Sequence, residues 1–241
     1  MIRKPLLLMF FTSLLFSENY LKELQDNGIK IVKEGKTIEI KREKSSACKK
    51  TLLNPEPLFG GNYSGKDVPE VCKKSFVTHV GVLQPMQLAK GITTAGEVEV
   101  LEYIKQSSEK PDEYILVDAR TEKWYEQMTI PSAINIPFNQ LHYEEDLEED
   151  DFEDKEEYST YVSNYKSLFK LLNIKETKEG LDFSKAKTAL LFCNGSWCSQ
   201  SPKAIMSLMN IGYPIEKLHW YRGGIQDWLI YDFTVEKNHI K

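Results

Sequence analysis

Short, mostly apolar runs alternate with amphipathic stretches through the second half of the chain. The runs are bounded by polar or turn-forming residues, which predicts buried β-strands. They lie at residues 114–118, 133–136, 189–192 and 217–220. Between them, apolar residues recur at helical spacing, and Thr94 and Glu97 have the spacing of a capping box that opens the first helix. The predicted helices lie at residues 94–105, 158–172 and 203–209, with another from residue 224. This alternation predicts an α/β fold, in which a parallel sheet carries helices on both faces.

The first residues have the pattern of an export signal. Arg3 and Lys4 precede an apolar stretch at 5–16, which is short for a membrane span. We therefore expect a signal peptide at 1–17, a periplasmic or otherwise exported protein, and no membrane contact after cleavage. The alternative is a membrane anchor through residues 5–16. Export places the chain in an oxidising compartment, where disulfides persist.

Residues 18–87 predict a small α+β N-terminal extension. A helical stretch follows residue 17, and residues 29–32 and 37–40 alternate as in a β-hairpin. Residues 42–80 show little periodicity, and so long a loop is uncommon in a compact protein unless it is held in place. Cys48 and Cys72 bracket much of it, so we expect a disulfide between them, with two free thiols as the alternative. The extension is also a candidate surface for a protein partner.

Charge excludes some functions. The 241 residues carry a net charge of −5, and no basic cluster indicates nucleic-acid binding. Residues 144–157 hold eleven Asp or Glu, which predicts a solvated acidic insertion. A cation-binding role is the alternative, although the run lacks the spacing of a calcium loop. No glycine-rich nucleotide motif and no metal-ligand set is present, so we expect neither a cofactor nor a metal.

The most informative stretch begins where the apolar run 189–192 ends, at Cys193. A polar loop follows, and Ser201 and Pro202 open the next helix, because serine is a favourable N-cap and proline suits the first helical turn. Loop amides and the helix N-terminus then converge on one place. This arrangement biases Cys193 toward the thiolate, the nucleophilic form of cysteine. The alternative is that Cys193 is a small buried hydrophobic residue at the end of a strand.

Three local sequences, in this order, resemble the rhodanese-like domain family. The first comprises residues 116–120 and the following segment 130–137. The second is the strand that ends in Cys193, followed by Ser201 and Ala204 at the start of the next helix. The third is residues 212–228, which include Gly223 and Gly224. The resemblance spans about 88–232 and implies a rhodanese-like domain at 88–235 with a five-stranded parallel sheet. It implies that Cys193 is catalytic and becomes a persulfide, and that Asp118 and Arg120 lie near the active loop and mainly fix structure. Apart from the resemblance, Arg222 is expected near the site, either as an attractor of anions or, with its neighbouring glycines, as part of a turn. The implied substrate-binding residues are Asn194, Gly195, Ser196, Trp197, Ser199, Gln200 and Ser201.

The loop also departs from the usual pattern of that family. Ser201 is the eighth residue after Cys193, so the loop is longer than usual; the usual loop arginine is absent, and Cys198 lies in the loop instead. The resulting Cys-x-Gly-x-x-Cys sequence resembles an exported subgroup. A cysteine phosphatase needs an arginine six residues after its cysteine to bind phosphate, and that residue here is Ser199.

Two cysteines in one loop leave three interpretations. Cys193 carries sulfur as a persulfide, and Cys198 or an external thiol removes it. Alternatively, Cys193 and Cys198 form a reversible disulfide in thiol–disulfide exchange, or a static disulfide in a non-catalytic binding module. The first interpretation implies a small sulfur-containing anion or a protein thiol as the partner.

Aromatic residues near the loop leave two further alternatives. Trp197 either packs over the rim of the site or forms an aromatic pocket with Trp220 and Tyr221. His219 is expected to be a core or rim residue rather than a catalytic base.

Overall fold

The structure is a computed structural model that describes residues 27–41, 69, 84–141, 143–144 and 147–237. The expected signal peptide, the helix after residue 17 and the expected Cys48–Cys72 disulfide lie outside these residues, except for the end of that helix at Asn27. Within the described ranges, no helix is long and apolar enough to cross a membrane. The same residues contain no group of three or more His, Cys, Asp or Glu side chains that could hold a metal.

Nine strands and five α-helices follow one another along the described residues. The strands are β1 (Ile29–Lys33), β2 (Lys36–Ile40), β3 (Thr93–Ala95), β4 (Tyr114–Asp118), β5 (Ile134–Asn135), β6 (Lys175–Thr177), β7 (Gly180–Asp182), β8 (Thr188–Phe192) and β9 (Leu218–Tyr221). The helices are α1 (Glu97–Glu109), α2 (Glu122–Gln127), α3 (Lys155–Leu172), α4 (Gln200–Asn210) and α5 (Gly224–Ile230). Short 3-10 turns lie at Glu149–Asp151 and Ile215–Lys217.

A five-stranded parallel sheet forms the centre of the protein, in the order β3-β9-β8-β4-β5. The predicted α/β class and the parallel five-stranded sheet are therefore confirmed. In the register of β4 and β8, Asp118 lies opposite Phe192. The two strands consequently end together, and Cys193 emerges at the carboxyl edge of the sheet, where α/β proteins build their sites.

Both faces of the sheet are covered, which explains why β8 is apolar throughout. Leu190 and Phe192 face a cluster that includes residues of α1 and α5. Ala189 and Leu191 face a second cluster, formed with α3 and α4. All four side chains are at most 1% exposed, so the strand that leads to Cys193 is held rigidly from both sides.

The N-terminal hairpin belongs to the same folded unit. Strands β1 and β2 pair as predicted, and the turn residues Glu34 and Gly35 both have positive φ, as expected of a tight two-residue hairpin turn. Ile29, Ile31 and Ile40 share the core cluster of α1 and α5. The Lys33 ammonium also lies 2.9 Å from the Glu236 carboxylate, so this part of the predicted extension packs on the α/β domain.

The start of the first helix differs from the prediction. The capping box predicted at Thr94 and Glu97 is wrong, because Thr93–Ala95 pairs with β9 as an edge strand. Helix α1 begins at Glu97, and the Glu99 carboxylate accepts a 2.9 Å hydrogen bond from the Gly96 N–H. A strand of three residues with two threonines has too little apolar character to be found from periodicity.

Part of the acidic run forms a helix N-terminus rather than a loop. Helix α3 begins at Lys155, three residues earlier than predicted. The Asp154 carboxylate accepts hydrogen bonds from the N–H groups of Glu156 and Glu157, at 2.9 and 2.8 Å. Acidic side chains are favourable at this end of a helix dipole, so these carboxylates contribute to the fold.

Candidate active site

Cys193 lies directly after β8 and is only 2% exposed. The Ser201 hydroxyl donates a hydrogen bond to its Sγ at 3.0 Å, and the Trp220 Nε1–H donates to the Ser201 Oγ at 3.1 Å. Indole nitrogen is only a donor. The tryptophan therefore occupies an acceptor position of the serine and leaves the serine proton to point at sulfur.

Ser201 is not the helix N-cap. Helix α4 begins at Gln200, and Ser199 occupies the N-cap position without a side-chain capping bond. Ser201 is fully buried in the first turn. Pro202 remains in the first turn, where a missing N–H costs nothing. The prediction for Ser201 is wrong because the buried thiol and Trp220 provide better partners than the end of the helix.

The loop curls so that Cys198 returns to Cys193. The Cys198 N–H donates to the Gly195 carbonyl at 2.9 Å, and the Cys198 carbonyl lies 3.6 Å from the Cys193 Sγ. The Cys198 thiol in turn donates to the Gln200 Oε1 at 3.6 Å. Both thiols are free, and Cys198 is 5% exposed. The structure thus holds a buried pair of adjacent thiols.

The surroundings of the two thiols shift their pKa values in opposite directions. Burial, followed by the hydrogen bond to Cys198, raises the pKa of the Cys193 thiol well above its ordinary value. The hydrogen bond from Cys193 lowers the pKa of Cys198 to about 6, and contacts with Gln200 and Asn194 act in the same direction. The direction of these shifts favours proton loss from Cys198 before Cys193, whereas the sequence pattern favoured the thiolate on Cys193. The amides of the loop lower the pKa of the second sulfur.

Helix α5 holds the backbone of the loop in place through two hydrogen bonds. The N–H groups of Ile225 and Gln226 donate to the carbonyls of Cys193 and Asn194, at 3.0 and 2.9 Å. Gly224 has a φ of +58°, and a Cβ atom there would lie 2.3 Å from the Cys193 carbonyl oxygen. Only glycine permits both this backbone conformation and this close approach.

Replacing Gly224 with alanine should lower the free energy of unfolding by about 2–4 kcal/mol, because backbone strain and a steric clash add together. Gly35→Ala is the matched control, since Gly35 has a φ of +74° but no atom within 4 Å of the added Cβ. That variant should lose only about 1 kcal/mol. Urea denaturation measures both, and equal losses would show that the contact with the loop carries no energy.

Trp197 packs over the loop instead of forming an aromatic pocket. Its Nε1–H donates to the Gln226 side-chain oxygen at 2.7 Å. Trp220 and Tyr221 are each 1% exposed and belong to core clusters on opposite faces of the sheet. The aromatic pocket is therefore wrong. Apart from its position two residues after Gly224, nothing in the sequence indicates that Gln226 contacts the loop.

Arg222 contacts the active loop indirectly, through Gln84, a residue that precedes β3 in the chain. Its guanidinium donates twice to the Gln84 carbonyl, at 3.1 and 2.9 Å. The Gln84 N–H in turn donates to the Ser196 carbonyl at 2.7 Å. Residue 84 therefore lies across the loop and uses Arg222 for positioning. Nothing in the sequence indicates this contact.

Asp118 and Arg120 form a buried ion pair behind the loop, with 2.6 Å between the Arg120 Nη2 and the Asp118 Oδ2. They are 0% and 1% exposed. The Thr129 hydroxyl donates to the same carboxylate at 2.7 Å, and the Arg120 Nη1 donates to the Asn194 Oδ1 at 3.5 Å. The pair thus ties the end of β4 to the first loop residue after Cys193.

Other candidates lie away from the thiols. His219 is half-buried beside Tyr103, and burial lowers its pKa, which favours the neutral core histidine that was expected. A groove of about 590 Å³ runs beside the loop, bordered by Ser199 and by Lys203, whose ammonium lies 5.8 Å from the Phe138 ring centre. Neither thiol lines this groove, so it leaves the sulfur atoms covered.

Comparison with known proteins identifies one family. The model of the rhodanese-like domain matches residues 100–230, and no curated sequence matches the chain. Among solved structures, protein BH2092 of Bacillus halodurans is 23% identical, with 61% of this chain and 77% of that chain covered and a TM-score of 0.38. A human single-domain sulfurtransferase is 18% identical (56% and 94% covered, TM-score 0.34). A rhodanese with anions from E. coli is 22% identical (47% and 88% covered, TM-score 0.25).

Proposed function

This chain belongs to the rhodanese-like domain family, and on that premise we propose that it is a sulfurtransferase or sulfane-sulfur carrier that holds sulfur as a persulfide on Cys193. The observation that carries the proposal is the buried pair of thiols in one loop, in which the Cys193 thiol donates to the Cys198 carbonyl at 3.6 Å. In such a pair the thiol with the lower pKa can act as a base that takes the proton of the other thiol as that thiol attacks, because the thiolate is the form that attacks.

Loading then proceeds without an external base. The Cys193 Sγ attacks the sulfane sulfur of a donor, and the Cys193 proton passes to the Cys198 thiolate. The donor's leaving group departs with the electron pair of the bond that it shared with the transferred sulfur. The products are a Cys193 persulfide anion, a Cys198 thiol and the free leaving group, so proton and charge balance.

Delivery reverses the proton movement. An acceptor thiolate attacks the outer sulfur of the persulfide, and the bond between the two sulfur atoms breaks. The released Cys193 thiolate takes the proton back from Cys198, which restores the resting pair. Cys198 therefore serves as the general base in loading and as the general acid in delivery.

The local groups favour sulfur on Cys193 and a small donor. The Ser201 hydroxyl donates to the Cys193 Sγ at 3.0 Å, and a hydrogen bond to a charged acceptor is stronger than one to a neutral thiol. Because Cys193 is 2% exposed, a small anion such as thiosulfate or polysulfide reaches it more easily than a folded protein does. The remaining loop residues proposed for substrate binding are Asn194, Gly195, Ser196, Trp197, Ser199 and Gln200.

The proposal is tested by loading the protein with thiosulfate or with inorganic polysulfide and quenching with an alkylating agent. Cys198 loses its proton as the pH rises through about 6, so the base is present above that pH and absent below it. The loading rate should therefore rise through about pH 6 and then level off. Failure of both donors to load the protein at any pH at which it is folded would refute sulfur transfer.

Ser201→Ala should reduce the loading rate by about ten- to a hundredfold, because it removes a hydrogen bond to charge developing on Cys193. The pH midpoint should stay near that of the unmodified protein, since Ser201 bonds Cys193 and the pKa of Cys198 is set by other groups. Ser207→Ala, in the same helix α4, is the matched control and should load normally. An unchanged rate in Ser201→Ala would contradict a role for the hydroxyl.

A further inference from the structure

The second cysteine of the loop is already in contact with the atom that would carry sulfur. The Cys193 thiol donates to the Cys198 carbonyl at 3.6 Å, and both thiols are buried in the same loop. The turn that closes with the hydrogen bond from the Cys198 N–H to the Gly195 carbonyl holds this arrangement. An attack from Cys198 therefore needs no encounter with another molecule.

An external acceptor meets the opposite situation. Cys193 is 2% exposed and Cys198 is 5% exposed. The backbone of Gln84 crosses the loop at Ser196, and two hydrogen bonds from Arg222 hold it there. A reaction between groups already held together has a large advantage over one that must first bring them together.

We propose that Cys198 resolves the Cys193 persulfide within the same loop, so that the protein releases sulfur as hydrosulfide and becomes a Cys193–Cys198 disulfide. This inference rests on the proposed function and adds the fate of the sulfur. It identifies a sulfane-sulfur compound as the substrate class and inorganic sulfide as the product when no acceptor is at hand.

The step balances without an added oxidant. The Cys198 sulfur attacks the inner sulfur of the persulfide, the Cys193 Sγ, and a bond forms between the two cysteines. The bond between Cys193 and the outer sulfur breaks, and the outer sulfur leaves with its electron pair. The Cys198 proton goes to that sulfur, giving HS⁻. Sulfane sulfur is reduced to sulfide, and the two cysteine thiols are oxidised to a disulfide.

Return to the starting state requires a dithiol or two molecules of a monothiol. These open the disulfide by two successive exchanges, and are themselves oxidised to a disulfide. Without a reductant, this cycle predicts a burst of one sulfide per protein molecule. With a reductant, it predicts steady release of sulfide.

The test compares the full-length protein with Cys198→Ser after each has been loaded with polysulfide and freed of excess donor. In the unmodified protein, sulfide should appear in about one equivalent and intact mass should show loss of two hydrogens, the mark of a disulfide. Cys198→Ser should keep its sulfur at least about tenfold longer, because the intramolecular nucleophile is absent. Loading of Cys198→Ser, completed over longer times because the base is missing, demonstrates that its site is folded.

The outcomes separate this inference from the proposed function. Equal retention of sulfur in both proteins, or sulfide release without a disulfide, would overturn intramolecular resolution while leaving sulfur carriage intact. Failure of both proteins to take up sulfur would overturn the proposed function itself.

Discussion

Cys193→Ser should lose sulfur loading and transfer by at least about a thousandfold, because a hydroxyl is a far weaker nucleophile toward sulfane sulfur than a thiol. Serine is close to cysteine in size and can still hydrogen-bond with Ser201 and Cys198. The fold should therefore survive. Thermal unfolding checks the fold, and the rate of thiosulfate- or polysulfide-dependent transfer checks the activity.

The reciprocal variant makes the assignment specific. Cys198→Ser removes the base but keeps the proposed carrier, so it should still accept sulfur, with its loading shifted to alkaline pH because Cys193 must then ionise by itself. Burial raises the pKa of Cys193, which sets the direction of this shift. Transfer that persisted in Cys193→Ser and disappeared in Cys198→Ser would assign the carrier to the other sulfur.

Arg120→Ala should lower the free energy of unfolding by about 3–5 kcal/mol, the usual cost of leaving a buried charge without its partner. Asp118 is 0% exposed and would retain only the Thr129 hydroxyl and a backbone N–H as donors to its carboxylate. The loss should be visible in urea denaturation. It should also loosen the active loop, since the Arg120 Nη1 bonds the Asn194 side chain.

Two control variants separate the effect of burial from the effect of an unpaired charge. Lys110→Ala breaks an ion pair with Glu113 whose side chains are 57% and 63% exposed, and it should cost less than about 0.5 kcal/mol. The double variant Asp118→Ala/Arg120→Ala should lose less than the sum of the single losses, because no buried charge remains alone. A loss for Arg120→Ala as small as that for Lys110→Ala would contradict a structural role for the buried pair.

The parts of the fold that could be predicted are those in which local sequence and burial agree. Strand β4 was found with the right bounds, and β8 was found to within one residue, because strands buried on both faces are continuously apolar. The edge strand Thr93–Ala95 and the exposed hairpin of β6 and β7 were missed. Their residues are polar or partly exposed, so pairing rather than hydrophobicity defines them.

Only part of the candidate site could be predicted from the sequence. Cys193 was placed correctly at the end of a strand and beside a helix N-terminus, since both follow from residues next to it in the chain. Which thiol has the lower pKa could not be predicted, because the two shifts depend on how deeply Cys193 is buried and on the curl of the loop that brings Cys198 back. Contacts from Trp220 and Gln84 are likewise long-range in the chain, and no local pattern encodes them.

The export signal, the domain boundaries and the Cys48–Cys72 disulfide stay predictions. Their residues lie largely outside the described ranges, and neither the sheet nor the thiol pair depends on them. The hairpin β1–β2 is the exception within the predicted extension, because its isoleucines lie in the core of the domain.

The most direct test determines which cysteine carries the transferred sulfur atom after one turnover. Protein treated briefly with polysulfide, alkylated and digested should yield a peptide in which Cys193 carries one extra sulfur, about 32 Da, with Cys198 alkylated directly. Longer incubation without an acceptor should convert that species into a Cys193–Cys198 disulfide. An extra sulfur found on Cys198 alone, with Cys193 unmodified, would contradict the assignment of Cys193 as the carrier and Cys198 as its base.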